Sequence, residues 1–381
     1  MGMQAPALSH DERRDMGTRN ALKIGIFGAN CSSARSATMA EERWMATWPE
    51  CLAIGRAADE AGIDFLLPIA RWKGYGGATD FHGSTFETMT WAAALLAATK
   101  RIVVFGTVHA PLFNPLIAAK EFVTADHVGS GRFGLNVVCG WNEGEFQMFG
   151  VEQKDHDTRY EYAQEWIDAV KMAWTAPSDF DFRGAFFDLR GARAFPKPFG
   201  GSQPLIMNAG ASPAGQAFAF RNCDAFFTST PSSRQSIAEN ARRVDEIRTE
   251  GLRQGRMIDV YTVGQVICRS TEQEARDYYH HTLIENADWG AVEEMLRLKN
   301  ITRATVSEEE FDGKRRYFAG HGIGGYPFVG TPEMVANELA NLSRAGVRGI
   351  AISFVNYLSE FPLFRDEVLP RLVERGVRVD P

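Results

Sequence analysis

The feature that most constrains this chain is a regular alternation of short apolar segments with longer amphipathic ones. Eight segments have the length and apolar content of buried strands, and helical patterns separate them. They are residues 22–27, 63–69, 102–107, 133–139, 205–209, 225–229, 260–268 and 349–354. Strands that alternate with helices pair in parallel through right-handed crossovers. We therefore predict a (β/α)8 TIM barrel of the α/β class, with an open doubly wound sheet as the alternative.

The length and composition fit a single domain of this kind. The chain has 381 residues, of which 45% are hydrophobic and 23% are charged, and α/β barrels of this size are common. We expect residues 21–381 to form the barrel domain. Residues 1–20 are polar and charged, so we expect them to be a disordered lead. Residues 286–329 interrupt the alternation, and we predict that they form a lid insertion over the C-terminal ends of the strands.

Charge and cysteine usage exclude several classes of protein. The net charge is -7 and no run of lysine and arginine occurs, so nucleic acid and membranes are not expected partners. The five cysteines are scattered without a CxxC pair, which argues against a disulfide framework and a cysteine zinc site. No other metal site is predicted. No apolar run approaches the ~20 residues that a membrane helix needs, and we predict a cytoplasmic location.

A polar side chain inside an apolar strand marks the first candidate site. Asn136 lies within the strand 133–139, and Trp141, Glu143 and Glu145 follow in the next loop. A buried amide costs roughly 1–3 kcal/mol unless it is hydrogen-bonded. The C-terminal ends of barrel strands are where this fold binds ligands. The alternative is that Asn136 only holds its own loop in place.

A second candidate is an anion site at the start of a helix. Gly210, Ala211 and Ser212 precede Pro213 in the pattern of a helix cap, and free backbone N–H groups at a helix start favour phosphate. Arg159 and Tyr160 could add a cation and a phenol. Taken alone, ordinary capping and a solvated surface charge explain these residues better than an anion site does.

Three further features carry weaker signals. His109 follows a strand end, where either a structural or a ligand-facing role fits. Cys139 reads as a small core residue. The segment Gly320–Gly325 matches a dinucleotide-binding pattern, but no strand feeds it and no helix pattern follows it, so we interpret it as a loop that could gate the site.

Taken together, these segments resemble the bacterial luciferase-like superfamily of flavin-dependent monooxygenases. Within it, the chain is most similar to the branch that holds pyrimidine, dimethyl sulfone and alkanesulfonate monooxygenases. The resemblance covers roughly residues 20 to 375, and its most specific parts are residues 71–77, 131–141 with Glu145, 159–160 and 208–212. It implies a luciferase-like barrel that binds reduced FMN at the C-terminal ends of its strands.

The resemblance also implies roles for individual residues. The implied cofactor-binding residues are Ala70 and Arg71 at the flavin ring, Asn136 at the ring edge, Glu145 near the flavin, and Arg159, Tyr160, Gly210 and Ser212 at the phosphate. Thr107 and Asn136 would steer dioxygen, and His109 is a further catalytic candidate. Trp72 and Trp141 are candidates to contact substrate. Residues 67–70 and 29–45 depart from the family pattern, which leaves the substrate open.

The implied activity is a two-component monooxygenation. A separate NAD(P)H:flavin reductase would supply reduced FMN, and O2 would be used to oxygenate a small substrate with cleavage of a C–N, C–S or related bond. The family implies a homodimer or homotetramer. Two alternatives stay open at this point, a deazaflavin-dependent oxidoreductase on the same barrel and a non-catalytic flavin-binding protein.

Overall fold

The computed structural model describes residues 6–228, 237–322 and 325–380. Its strands are β1 (Lys23–Phe27), β2 (Phe65–Leu67), β3 (Val103–His109), β4 (Phe133–Val138), β5 (Phe180–Arg183), β6 (Asp188–Ala192), β7 (Leu205–Asn208), β8 (Ala225–Phe227), β9 (Asp259–Cys268), β10 (Tyr326–Gly330) and β11 (Gly349–Ser353). The main sheet has the order β10-β9-β11-β1-β2-β3-β4-β7-β8, and β8 also pairs with β9. Eight parallel strands therefore close into a barrel, and the predicted fold is confirmed.

Helices separate the barrel strands. The α-helices are α1 (His10–Arg14), α2 (Trp48–Glu60), α3 (Thr88–Ala98), α4 (Pro115–Val128), α5 (Glu143–Met148), α6 (His156–Thr175), α7 (Pro213–Asn222), α8 (Ile237–Arg253), α9 (Glu272–His280), α10 (Trp289–Leu298), α11 (Glu308–Gly320), α12 (Pro332–Arg344), α13 (Tyr357–Leu363) and α14 (Leu369–Glu374). The two long helices after β3 and β4 begin at side-chain caps, Asn114 for α4 and Asp155 for α6. Such caps satisfy backbone N–H groups that the first helical turn leaves free. The sequence pattern predicts that the helix after β8 begins at residue 232, which lies outside the described residues.

The chain divides into two compact units. The first consists of residues 1–18, 87–227 and 248–259, and it contains β3, β4, β7 and β8. In this unit β3 pairs in parallel with β4, and β4 pairs in parallel with β7. The register places Thr107 beside Asn136, and Asn136 beside Met207. The polar residues of neighbouring strands are therefore brought to one level of the sheet.

The N-terminal segment of the first unit is ordered over its described part. Residues 10–14 form α1, with a capping box between Ser9 and Glu12. Arg13 is buried, and its guanidinium donates to both oxygens of Asp126 at 2.8 and 2.9 Å. The expectation of a disordered lead over residues 1–20 is wrong for residues 6–20. The physical reason is an ion pair between residues 113 positions apart, which local composition does not reveal.

The segment after α6 is more regular than its sequence suggests. Residues 180–183 and 188–192 form an antiparallel hairpin, β5 and β6. Glu165 of α6 accepts hydrogen bonds from backbone N–H groups in the turn between β5 and β6, those of Ala185, Phe186 and Phe187. A carboxylate on the neighbouring helix therefore stabilises a hairpin turn that carries no Asn-Gly or Asp-Gly signal of its own.

The second unit consists of residues 19–86, 228–247 and 260–381, and it contains β1, β2, β9, β10 and β11. The predicted insertion 286–329 belongs to it and carries α10, α11 and most of β10. Helices α10 and α11 pack on an apolar cluster with members from the loops that follow β1 and β2, including Ala37, Tyr75 and Phe81. The end of the insertion is therefore a strand paired with β9, whereas its helices lie on loops at the C-terminal ends of β1 and β2.

The glycine-rich segment 320–325 has the opposite context to a dinucleotide-binding loop. Helix α11 ends at Gly320, and strand β10 begins at Tyr326. A dinucleotide-binding turn needs a strand before it and a helix after it. The interpretation of these residues as a loop is confirmed, although residues 323 and 324 lie outside the described part.

Among the described residues, no helix combines the length and apolar character that crossing a membrane requires.

Candidate active site

A polar pair lies on neighbouring strands of the first unit. The Asn136 side-chain amide donates to Thr107 Oγ1 at 3.3 Å, in the register that β3 and β4 impose. Thr107 is buried, and the Oδ1 atom of Asn136 is inaccessible to solvent and has no hydrogen-bond partner. A buried acceptor without a donor is costly. The pair therefore provides an acceptor that a bound group with an N–H could satisfy.

A second buried pair lies next to it in sequence. His109 is the last residue of β3 rather than a residue beyond the strand, and its Nδ1 lies 3.8 Å from Glu145 Oε2. Both side chains are buried. Glu145 is carried by the short helix α5, which Asn142 caps through a hydrogen bond to the N–H of Gly144. The structure thus brings together two predicted residues that are 36 positions apart in the chain.

The loop between β4 and α5 is fixed from α6. Gly140 has a positive φ of 79°, and a side chain there would collide with the Phe146 ring. Arg159 donates to the carbonyl oxygen of Gly140 at 2.6 Å. Its Nε is buried without a hydrogen-bond partner. Arg159 therefore holds the loop and keeps one donor unused. Trp141 is 38% exposed beside it.

Three donors and acceptors converge at the start of α7. Ser212 caps this helix, and its Oγ accepts from the N–H of Gly215 at 3.2 Å. Tyr160 of α6 hydrogen-bonds to Ser212, and burial raises the pKa of the Tyr160 phenol. His156 Nε2 lies 3.0 Å from Ser212 Oγ. The predicted partners Tyr160 and Ser212 are therefore together, whereas Arg159 bonds to Gly140 instead.

Glycines allow the backbone to approach closely at this helix start. A side chain at Gly215 would lie 2.6 Å from the Tyr160 hydroxyl, and one at Gly210 would lie 2.6 Å from Gly215 Cα. Asn208 accepts from the Gly210 N–H at 2.7 Å and donates to the Val137 carbonyl at 2.7 Å. The loop that enters α7 is thus tied to β4, and its N–H groups stay near the polar cluster.

His156 is a member of this cluster that the sequence reasoning missed. It precedes Tyr160 by four residues, so the two side chains share one face of α6, and their rings lie 5.2 Å apart. Its other ring nitrogen lies 2.8 Å from Asp157. The four-residue spacing to Tyr160 could have indicated His156 from the sequence. Its contact with Ser212, 56 residues later in the chain, could not be read from the sequence.

The remaining predicted residues belong to the second unit. Ala70 and Arg71 follow β2, and the Arg71 guanidinium lies 4.9 Å from the centroid of the Tyr75 ring. Trp72 is 37% exposed. Nearby, His82 is buried, and its Nε2 hydrogen-bonds to the Ala34 carbonyl at 2.5 Å. Burial, with Arg71 and Arg35 as further causes, lowers the pKa of His82 to about 3.

Comparison with known proteins decides the family. A model of the luciferase-like monooxygenases matches residues 22–349. The chain belongs to this family. It is 30% identical to an FMNH2-dependent dimethylsulfone monooxygenase of Pseudomonas putida, over 93% of this chain and 96% of that protein. It is 28% identical to the pyrimidine monooxygenase RutA of Escherichia coli K12, over 96% of this chain and 95% of that protein.

Solved structures support the same fold. DmoA from Hyphomicrobium sulfonivorans matches with a TM-score of 0.81 at 20% identity, over 93% of this chain and 88% of that chain. At this level of identity the match supports the barrel fold and nothing more. The family resemblance predicted from residues 71–77, 131–141, 159–160 and 208–212 is confirmed.

The residues of the first unit fit the flavin mononucleotide that this family uses. A phosphate suits the start of α7, where the helix dipole, free N–H groups and two side-chain donors converge. The unpartnered Oδ1 of Asn136 suits an N–H group at the edge of a flavin ring. The close approach of Gly210 and Gly215 leaves no side chain between the backbone and such a phosphate.

Proposed function

We propose that this protein is the oxygenase of a two-component system that uses reduced FMN and O2 to oxygenate a small substrate, with cleavage of a C–N, C–S or related bond. The predicted monooxygenase class and the predicted reduced FMN are confirmed at the level of the family by its relatives. The single observation that carries the proposal to this chain is the unpartnered buried oxygen of Asn136 beside Thr107.

The residues at the start of α7 bind the cofactor phosphate in this proposal. Backbone N–H groups at the start of α7 donate to the phosphate, and Tyr160 donates its hydroxyl. His156, whose Nδ1 faces Asp157, contacts Ser212 Oγ through Nε2 and holds this side chain in place. Charge-assisted hydrogen bonds of this kind each contribute about 1.5–3 kcal/mol. Arg159 acts through Gly140, whose carbonyl it holds, and thereby fixes the loop that carries Trp141.

The strand residues orient the reacting end. Bound reduced FMN supplies the two electrons with which dioxygen is activated and one oxygen atom is placed on the substrate. In this proposal Asn136 Oδ1 would accept a hydrogen bond from the ring edge, while the Asn136 amide donates to Thr107 Oγ1. Thr107 and Asn136 lie side by side in the register of β3 and β4, at one level of the sheet. His109 and Glu145 form the adjoining buried pair that can hold or move a proton.

The loop after β2 carries the candidate substrate contacts in this proposal. Arg71 and Trp72 follow β2, and the helices of the insertion 286–329 pack on the loops after β1 and β2 as a lid. A lid of this kind excludes water while the oxidant is formed. A separate NAD(P)H:flavin reductase delivers reduced FMN, because the segment Gly320–Gly325 has the wrong context for a nicotinamide site.

The test combines the purified chain, a generic flavin reductase, NADH and FMN in air. Sulfones, sulfonates and pyrimidines are screened for oxygenated products by mass spectrometry with ¹⁸O2. We expect one labelled oxygen atom in the product, and Asn136→Ala to reduce product formation far more than the free energy of unfolding. Asn114→Ala, which removes only a helix cap at Leu116, is the matched control and should retain turnover.

Three outcomes would contradict the proposal. Turnover that survives unchanged in Asn136→Ala removes the assigned role of that side chain. Activity with reduced deazaflavin but not with reduced FMN would assign the barrel to hydride transfer, and saturable FMN binding without any oxygenated product would indicate a non-catalytic flavin-binding protein.

A further inference from the structure

Arg35 is a buried cation in the segment between β1 and α2. The residue is 5% exposed, and its Nε and Nη2 atoms are inaccessible to solvent and have no hydrogen-bond partner. Its guanidinium lies 5.1 Å from the centroid of the Phe27 ring, at the C-terminal end of β1. Arg35 therefore sits at the end of the barrel strand where this fold places its ligands.

The groups around Arg35 do not neutralise it. Its electrostatic neighbours are the phenols of Tyr357 and Tyr317. In the part of the chain that the structure describes, no aspartate or glutamate forms an ion pair with it. Its charge adds to that of Arg71 at His82. Burial lowers the pKa of Arg35 to about 10, so the side chain still carries its charge at neutral pH.

Among the described residues, the other two buried arginines are paired with carboxylates. Arg13 donates to Asp126, and Arg378 donates to Asp64 at 2.6 Å. Both carboxylates are buried. An unpaired buried charge costs several kcal/mol. Arg13 and Arg378 thus each have a buried carboxylate as partner, whereas Arg35 has none among the described residues.

Polar atoms and glycines complete the surroundings of Arg35. Ser353, the last residue of β11, donates to Gln265 Oε1 at 2.7 Å, while Gln265 Nε2 is buried without a partner. A side chain at Gly322 would lie 3.1 Å from Gln265 Oε1 and 3.2 Å from the Arg35 carbonyl. One at Gly325 would lie 2.9 Å from Arg35 Nη2. At Gly322 and Gly325, therefore, no side chain stands between the backbone and these polar groups.

We propose that Arg35, with the free amide N–H of Gln265, recognises an oxyanion on the substrate, so that the natural substrate is a small anionic compound such as a sulfonate or a carboxylate. This inference rests on the proposed oxygenase function and adds its substrate class. A guanidinium binds such groups through two parallel N–H donors, and both unpartnered nitrogens of Arg35 are available for this. The free amide N–H of Gln265 supplies a further donor.

The test measures ligand binding rather than turnover. The FMN-saturated protein is titrated by calorimetry with ethanesulfonate against ethyl methyl sulfone, and with butanoate against butanamide. We expect at least one anion to bind about tenfold or more tightly than its neutral partner, and the better anion distinguishes sulfonate from carboxylate substrates. Arg35→Gln should abolish this preference. Arg43→Gln makes the same charge change in the same segment, where the Arg43 guanidinium donates to the Ala40 carbonyl at 3.5 Å, and should preserve this preference.

Stability provides an independent readout. Removing an uncompensated buried charge should raise the melting temperature of the ligand-free protein, so we expect Arg35→Met to melt higher than wild type and to lose the stabilisation that the anion gives. A purely structural arginine would show the reverse.

Several results would overturn the inference. They are equal wild-type affinity for anionic and neutral partners, no anion binding at concentrations on the order of 10 mM, an anion preference that persists in Arg35→Gln, or an Arg35→Met protein that melts lower. Weaker binding of reduced FMN by Arg35→Gln without any anion would assign Arg35 to the cofactor and would also overturn it. If the wild type binds FMN normally, these results contradict only the inference about Arg35 and not the proposed oxygenase function. If the wild type does not bind FMN, the proposed oxygenase function itself is contradicted.

Discussion

The phosphate site proposed at the start of α7 gives the sharpest prediction, which concerns Tyr160→Phe. The substitution removes one hydroxyl that reaches Ser212 and keeps the ring packed near Phe218, whose centroid is 6.2 Å away. The backbone of Gly215 packs against this hydroxyl, since a side chain at Gly215 would lie 2.6 Å from it. We therefore expect a loss that is confined to the phosphate of the cofactor.

The magnitude follows from the type of bond. A hydrogen bond to a charged group contributes about 1.5–3 kcal/mol, and 1.4 kcal/mol corresponds to about a factor of ten in affinity. Tyr160→Phe should therefore weaken FMN binding about 10- to 100-fold. Riboflavin has the same ring system without the phosphate, so its affinity should change less than about twofold, within the scatter of such measurements.

The assay is quenching of flavin fluorescence, with FMN and riboflavin titrated against each variant. Tyr162→Phe is the matched control, because Tyr162 lies on the same helix and contacts Phe186 and Phe187 rather than Ser212. It should leave both affinities unchanged. If Tyr160→Phe weakens riboflavin and FMN equally, or neither, the phosphate does not bind at the start of α7.

Three other predictions rest on burial and charge. Asp288→Asn should destabilise the insertion at pH 7. Burial raises the pKa of Asp288, but hydrogen bonds, first those from Thr79, outweigh this effect, so the pKa is lowered overall. In urea titrations the difference in unfolding free energy between Asp288→Asn and wild type should therefore shrink as the pH falls below about 4. Asp126→Asn should cost about 3–5 kcal/mol of unfolding free energy, because Arg13 then stays buried without its partner; a cost below 1 kcal/mol would contradict a buried pair. Cys139 should resist thiol reagents at pH 8 in the native state, because burial raises its pKa to about 12; rapid labelling without unfolding would refute this.

The predicted lid and the predicted residue roles stay predictions until such experiments are done. Two of the predicted pairs are in contact in the structure, Thr107 with Asn136 and Tyr160 with Ser212. The helix-start pattern suggested the Tyr160–Ser212 pair, because positions at the strand ends and helix starts of a barrel lie at one face. The Thr107–Asn136 pair was implied by the family resemblance.

The sequence by itself determined the barrel and the strands that carry the candidate site, because apolar periodicity and helix caps are encoded within about ten neighbouring residues. Its resemblance to known flavin-dependent monooxygenases indicated the family. The tertiary structure alone decided that residues 10–14 dock through Arg13 onto Asp126, that His156 meets Ser212, and that Arg35 has no carboxylate beside it. These facts depend on which distant segments the closed sheet brings together, and on whether a charge finds a partner there. Composition and local pattern contain neither kind of information.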